Sequence, residues 1–145
     1  MTDHSPALVL EQLVAGAPDD VFRAWTDPEL LAEWWWPHLP GTTYEVEAAV
    51  GGAYRFRCDG VGIGVHGTFT AVEPPHRLGL TWVWEDGDAD QPEERVEVEI
   101  RAVGDGSVVV IRHWVLDNAG EEAYRVGWSD ALTRLVTRTG GSAAS

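Results

Sequence analysis

Lysine is missing from this chain altogether, and cysteine occurs once, at Cys58. A single cysteine excludes an intrachain disulfide and a cysteine-rich zinc site. With no lysine, the ten basic residues are all arginines, and 24 acidic residues leave a formal net charge of -14. Such a surface repels a phosphate backbone or an anionic lipid, so neither nucleic acid nor membrane is expected as a partner. Nowhere do about 18 apolar residues run together, and the opening Met1–Pro6 stretch has neither the basic region nor the apolar core of a secretory leader. These absences predict a cytoplasmic protein.

What is present suits a folded core. Of 145 residues, 44% are hydrophobic and eight are Trp, which sets the chain well away from intrinsic disorder. The length fits one domain over 1–145, with its core over about 8–136 and a frayed tail from Gly140. Strand formers over Ala7–Val14 end at Gly16-Ala17-Pro18. Pro18-Asp19-Asp20 and Asp27-Pro28-Glu29 each place a proline and acids at a helix start. Val21, Phe22, Ala24 and Trp25, then Leu30, Leu31, Trp34 and Trp35, repeat at helical spacing, which predicts two short helices back to back. From Thr42 to Val115 the period becomes two, broken by turn pairs such as Gly51-Gly52 and Pro74-Pro75, which predicts a six-strand antiparallel meander. Tyr54, Phe56 and Cys58; Leu78, Leu80, Trp82 and Trp84; and Val96, Val98 and Ile100 give that sheet one dry face. Tyr124, Trp128, Leu132 and Leu135 fall on the stripe of a long last helix, capped by Asn118, that should bury all four against it. The order is α+β: a curved antiparallel sheet wrapped around one C-terminal helix, with a gap between them.

Several pieces fall in a telling order: Ala24-Trp25-Thr26-Asp27-Pro28, Trp34-Trp35 with Pro37, Gly51-Gly52 before Tyr54 and Phe56, Gly67-Thr68-Phe69, Val72-Glu73-Pro74-Pro75 with Arg77-Leu78, Thr81-Trp82, His113, and Gly127-Trp128. In this the chain resembles the activator of heat-shock-protein ATPase homologue-like proteins, a branch of the START or SRPBCC superfamily, over about residues 8–136. The resemblance implies the helix-grip fold and an internal ligand cavity, and it carries no catalytic motif across. Trp36 stands where the family usually has Gly, Glu47 where Asp is frequent, Ala49 where Arg is common and Trp114 where a small or polar residue is usual.

The candidate wall of the cavity is Trp34, Trp35, Trp36, Tyr54, Phe56, Phe69, Leu80, Trp82, Trp84 and Trp128, with His113 as the inward polar group. Each of these rings could equally be plain core. His113 alternates with Val109 and Ile111 and suits either a hydrogen-bonded core position or acid–base work, with Tyr54 or Glu47 as helpers. His38 suits a solvated loop, His66 an outward strand position, and His4 and His76 the surface. Asp86, Asp88, Asp90 and Glu97 match EF-hand ligand positions, but Gln91 replaces the required Gly and strands flank the loop. No His pair has zinc-motif spacing, so neither metal nor cofactor is expected.

Three functions follow. The first is non-catalytic binding of a small lipophilic or aromatic molecule, uncharged and flat, by a monomer or homodimer. The second is a cofactor-free cyclase or isomerase that uses the same pocket with His113 as its acid–base. The third, chaperone ATPase stimulation, rests on the family resemblance alone.

Overall fold

A computed structural model describes residues 8–86, 89–90, 92–115 and 118–139. The chain runs β1 (Leu8–Val14), α1 (Pro18–Thr26), α2 (Pro28–Trp34), β2 (Thr43–Val46), β3 (Ala53–Cys58), β4 (Ile63–Glu73), β5 (Arg77–Asp86), β6 (Ala89–Asp90), β7 (Glu94–Val103), β8 (Gly106–Trp114) and α3 (Asn118–Thr139). The two short helices start at their prolines, as the sequence predicts. Asp27 joins them: its N–H donates to the Arg23 carbonyl to close α1, while its carboxylate accepts the Glu29 N–H at 2.9 Å to open α2.

All strand pairs are antiparallel, in the order β1-β8-β7-β5-β4-β3-β2. The expected six-strand meander is therefore present, and β1 adds to its far side beside β8. The two-residue β6 is an addition to the expectation; it pairs with β5, Glu85 opposite Asp90 and Asp86 opposite Ala89. Register lines up one side chain from each of five strands in a row, Leu8, His113, Val96, Leu80 and Phe69, all buried. His113 is the polar member of that row.

α3 covers this dry face. Trp128, Ala131, Leu132 and Leu135 are buried against it, whereas Tyr124, expected to be buried with them, is only half-buried. The reason is local: Tyr124 lies where helix and sheet part, not where they meet. Arg134 ties α3 to the end of α2, with Nε donating to the Trp34 carbonyl at 2.9 Å and Nη2 to the Trp35 carbonyl at 2.7 Å. Those carbonyls belong to a helix C-terminus, where intrahelical partners run out.

One close approach explains a glycine. The Tyr54 hydroxyl donates to the Thr81 carbonyl at 2.6 Å, reaching from β3 past β4 to β5. A Cβ on Gly67, the β4 partner of Tyr54, would stand 2.2 Å from that same oxygen. Any side chain there forces the strands apart.

The opposite face of the sheet carries ion pairs. Its centre is Glu85, 3% exposed, which accepts two bonds from Arg55 at 3.0 Å, one from Arg57 at 2.9 Å, and lies 2.5 Å from His66 Nδ1. Burial opposes ionisation of Glu85, but the donors from Arg55, His66 and Arg57 outweigh it and pull its pKa down to about 2. His66 thus points outward as expected, though it is half-buried against this carboxylate. Trp114 is also on this side, with the Arg95 guanidinium 4.1 Å from its ring centroid.

Candidate functional site

Between α3, β5 and the end of α2 lies a cavity of about 520 Å³, within the range of small-molecule sites. The segment just after α2 contributes Trp35 and Trp36; β5 contributes Trp82, Trp84 and, at the rim, Asp86; α3 contributes Tyr124, Gly127, Trp128, Ala131 and Arg134. Pro92, Glu94 and Val115 complete it. Five of the residues singled out in the sequence, Trp35, Trp36, Trp82, Trp84 and Trp128, come together here. Gly127 has nothing within 4 Å of where a Cβ would stand, so the helix presents bare backbone to the space.

The other candidate residues lie elsewhere. Trp34 is fully buried, and its indole N–H donates to the Ala24 carbonyl at 2.8 Å, locking α2 onto α1. Tyr54, Phe56 and Phe69 form a tilted row, with centroids 5.4 and 5.5 Å apart, outside the wall, and Phe56 packs edge-on against Trp35 at 5.3 Å. Leu80 is core in the five-strand row. Glu47 is exposed in the loop between β2 and β3, His38 and His76 are exposed, and Cys58 is buried with Sγ 3.7 Å from the Pro40 carbonyl. His4 and Asp88 fall outside the described residues, as does the side chain of Asp90.

His113 is also outside the wall: none of its surface is exposed, and both ring nitrogens are engaged. The Trp128 indole N–H donates to Nδ1 at 3.1 Å, and Nε2 lies 2.7 Å from Glu94 Oε1. An indole N–H can only donate, so Nδ1 must accept and the ring hydrogen sits on Nε2, aimed at Glu94. The Tyr124 ring packs 4.4 Å from the imidazole. Burial, with Glu94 second, pushes the Tyr124 hydroxyl up to about 12, so it stays protonated at neutral pH. Trp128, His113, Glu94 and Tyr124 thus form one polar chain whose outer members, Glu94 and Tyr124, face the cavity.

Glu94 is the residue that sequence reasoning missed. It extends the inward alternation of Val96, Val98 and Ile100 by one step, a signal masked by the acidic stretch leading into it. Further donors stand in the aromatic layer itself. The indole N–H groups of Trp25, Trp35 and Trp82 are buried without a hydrogen-bond partner; that of Trp82 comes near enough to Tyr124 to oppose the rise in its pKa without completing a bond. Among the described residues no cluster of three His, Cys, Asp or Glu side chains could hold a metal ion, and no helix is long and apolar enough to cross a membrane.

The sequence matches the family described as "Activator of Hsp90 ATPase homolog 1-like protein" over residues 15–140. No functionally curated protein matches it. Among solved structures, CalU16 from Micromonospora echinospora is 25% identical with a TM-score of 0.71, the match covering 94% of this chain and 77% of that one. CV1439 from Chromobacterium violaceum is 24% identical with a TM-score of 0.75, covering 91% and 96%. DynU16, a protein of the dynemicin biosynthetic locus, is 21% identical with a TM-score of 0.75, covering 89% of this chain and 45% of that one.

Proposed function

Given that this chain belongs to the activator of Hsp90 ATPase homolog 1-like family, we propose that it binds a small, largely aromatic molecule in the cavity between α3 and the sheet. The observation that carries this reading is the wall itself: five indoles around about 520 Å³, with charged and hydroxyl side chains limited to Glu94, Tyr124, Asp86 and Arg134. Apolar walls supply most of the contact in such sites, and a few polar groups fix orientation. The protein acts as a cytoplasmic binder, monomeric or homodimeric, a setting in which the lone buried Cys58 stays reduced.

The test is a titration of polycyclic and acyl compounds followed by tryptophan emission, since five of the eight Trp line the site. A bound compound quenches or shifts that emission. If nothing in the panel binds more tightly than about millimolar, worth only about 4 kcal/mol, the reading is wrong.

The Glu94–His113 contact favours a second reading, a cofactor-free enzyme in the same pocket. In it the proton acceptor is Glu94, which faces the cavity, while His113 positions that carboxylate through Nε2–H. This shifts the acid–base role from His113, whose nitrogens are already engaged. Turnover of a bound compound that disappears in Glu94→Gln while binding persists would establish it. Stimulation of a chaperone ATPase rests on the family description alone.

A further inference from the structure

Resting on the binding reading above, the charge of the guest can be specified, because two carboxylates stand among the indoles. Asp86 is at the exposed rim, and the Glu94 side chain, 9% exposed, is part of the wall. Glu94 is held by His113 Nε2–H at 2.7 Å and faces the Tyr124 hydroxyl, both uncharged donors in this arrangement. Arg134 brings a cation to the wall, but its Nε and Nη2 are turned to the Trp34 and Trp35 carbonyls, and Asp130 acts on its charge. Those two bonds hold the guanidinium at the end of α2, where the charges that act on it are those of Asp130 and Tyr44 rather than Glu94.

The guest classes then differ in what they meet. An anion seated beside Glu94 faces a like charge where little water remains to screen it. A neutral ring fills the volume but desolvates a carboxylate and gives nothing back. An organic cation meets both a counter-charge and the electron-rich faces of indoles, which attract ammonium groups within about 6 Å of a ring centroid. The planes cross steeply, 84° between Trp36 and Trp84 and 76° between Trp35 and Trp128, so ring faces and edges bound the space from several directions. We infer that the guest is an aromatic amine, its ring system lodged among Trp35, Trp36, Trp84 and Trp128 and its ammonium directed at Glu94. The uncharged guest expected from the apolar residues of the strands gives way because Glu94 continues their inward side into the wall.

Three probes of nearly equal shape test this: 2-naphthylmethylamine, 2-naphthalenemethanol and 2-naphthoic acid, compared by calorimetry near neutral pH in about 0.15 M salt, where exposed charges beyond about 8 Å are screened. The amine binds at least about tenfold tighter than the alcohol, and the acid binds weakest. Glu94→Gln removes the amine's advantage over the alcohol, the two then binding within about threefold of each other. That variant changes a net charge of -14 by one, so the lost preference cannot be credited to the overall field of the chain. Equal or tighter binding of the alcohol or the acid, or an amine advantage that survives Glu94→Gln, overturns the inference and leaves the cavity reading standing. If none of the three binds and the wider aromatic panel also fails, the cavity reading falls with it. Should Glu94→Gln not fold, the order of the three probes on the unmodified protein decides alone.

Discussion

The Trp128 indole donates to His113 Nδ1 across 3.1 Å, and that bond determines which imidazole nitrogen reaches Glu94. A helix side chain thereby sets the hydrogen-bond pattern of a strand side chain, which in turn orients the carboxylate at the cavity. Rotating the imidazole or moving its hydrogen would set two donors against each other at Trp128.

His113 accordingly holds its hydrogen on Nε2. Long-range nitrogen–proton correlation spectra of labelled protein at neutral pH should give the pattern of that tautomer. A pattern with the hydrogen on Nδ1 contradicts the Trp128 bond.

Two replacements at Trp128 separate the bond from the bulk. Trp128→Phe keeps most of the ring and strands His113 Nδ1, at a cost of about 1–3 kcal/mol for a buried acceptor left unpaired. Trp128→Ala empties the centre of the α3 contact and costs about 3–5 kcal/mol. Urea denaturation reads both, and a loss below about 1 kcal/mol for the alanine variant would place Trp128 at the periphery.

Acid should weaken the fold through Glu85. Its folded pKa is depressed from 4.5 to about 2, so its stabilisation is fully present above 4.5 and is lost as pH falls towards 2. Glu85→Gln costs about 3 kcal/mol at neutral pH, the lower end for a broken buried pair because Arg55 remains half-exposed. Between pH 4.5 and 2 the variant should lose stability less steeply than the unmodified protein. Parallel slopes for the two proteins would remove Glu85 from the acid response.

Gly67→Ala should cost about 1–3 kcal/mol, the range for overpacking, because the added Cβ runs into the Thr81 carbonyl that Tyr54 also uses. Tyr54→Phe removes only the hydroxyl bond and should cost about 1 kcal/mol. A neutral Gly67→Ala in thermal denaturation shows that β4 and β5 can part there without loss.

The elements could be read from the sequence because their signals are local. Asp27-Pro28-Glu29 marks a helix start whatever surrounds it, and the alternation in Arg95–Arg101 needs only a strand with one dry side. The rings were harder to sort. Trp34 and Trp35 are adjacent, equally apolar and both buried, yet one is bonded to Ala24 inside the core and the other walls the cavity. That difference arises from where the end of α2 meets α3, which no local pattern records. Glu94 was overlooked for a related reason: a carboxylate on the inward side of a strand is unfavourable until a distant His113 supplies its partner.

The pairing of Leu8 with His113 also sets a schedule for the chain as it is made. β1 leaves the ribosome about a hundred residues before the strand it must join, an interval of roughly 5–20 s at about 5–20 residues per second. The hairpins from β2 to β5 need only near neighbours and can close meanwhile. Until β8 emerges, β1 keeps its backbone unpaired and its apolar Leu8, Leu10 and Val14 uncovered, so the nascent chain is most open to holdase chaperones, and to misassembly, at its beginning rather than at its end.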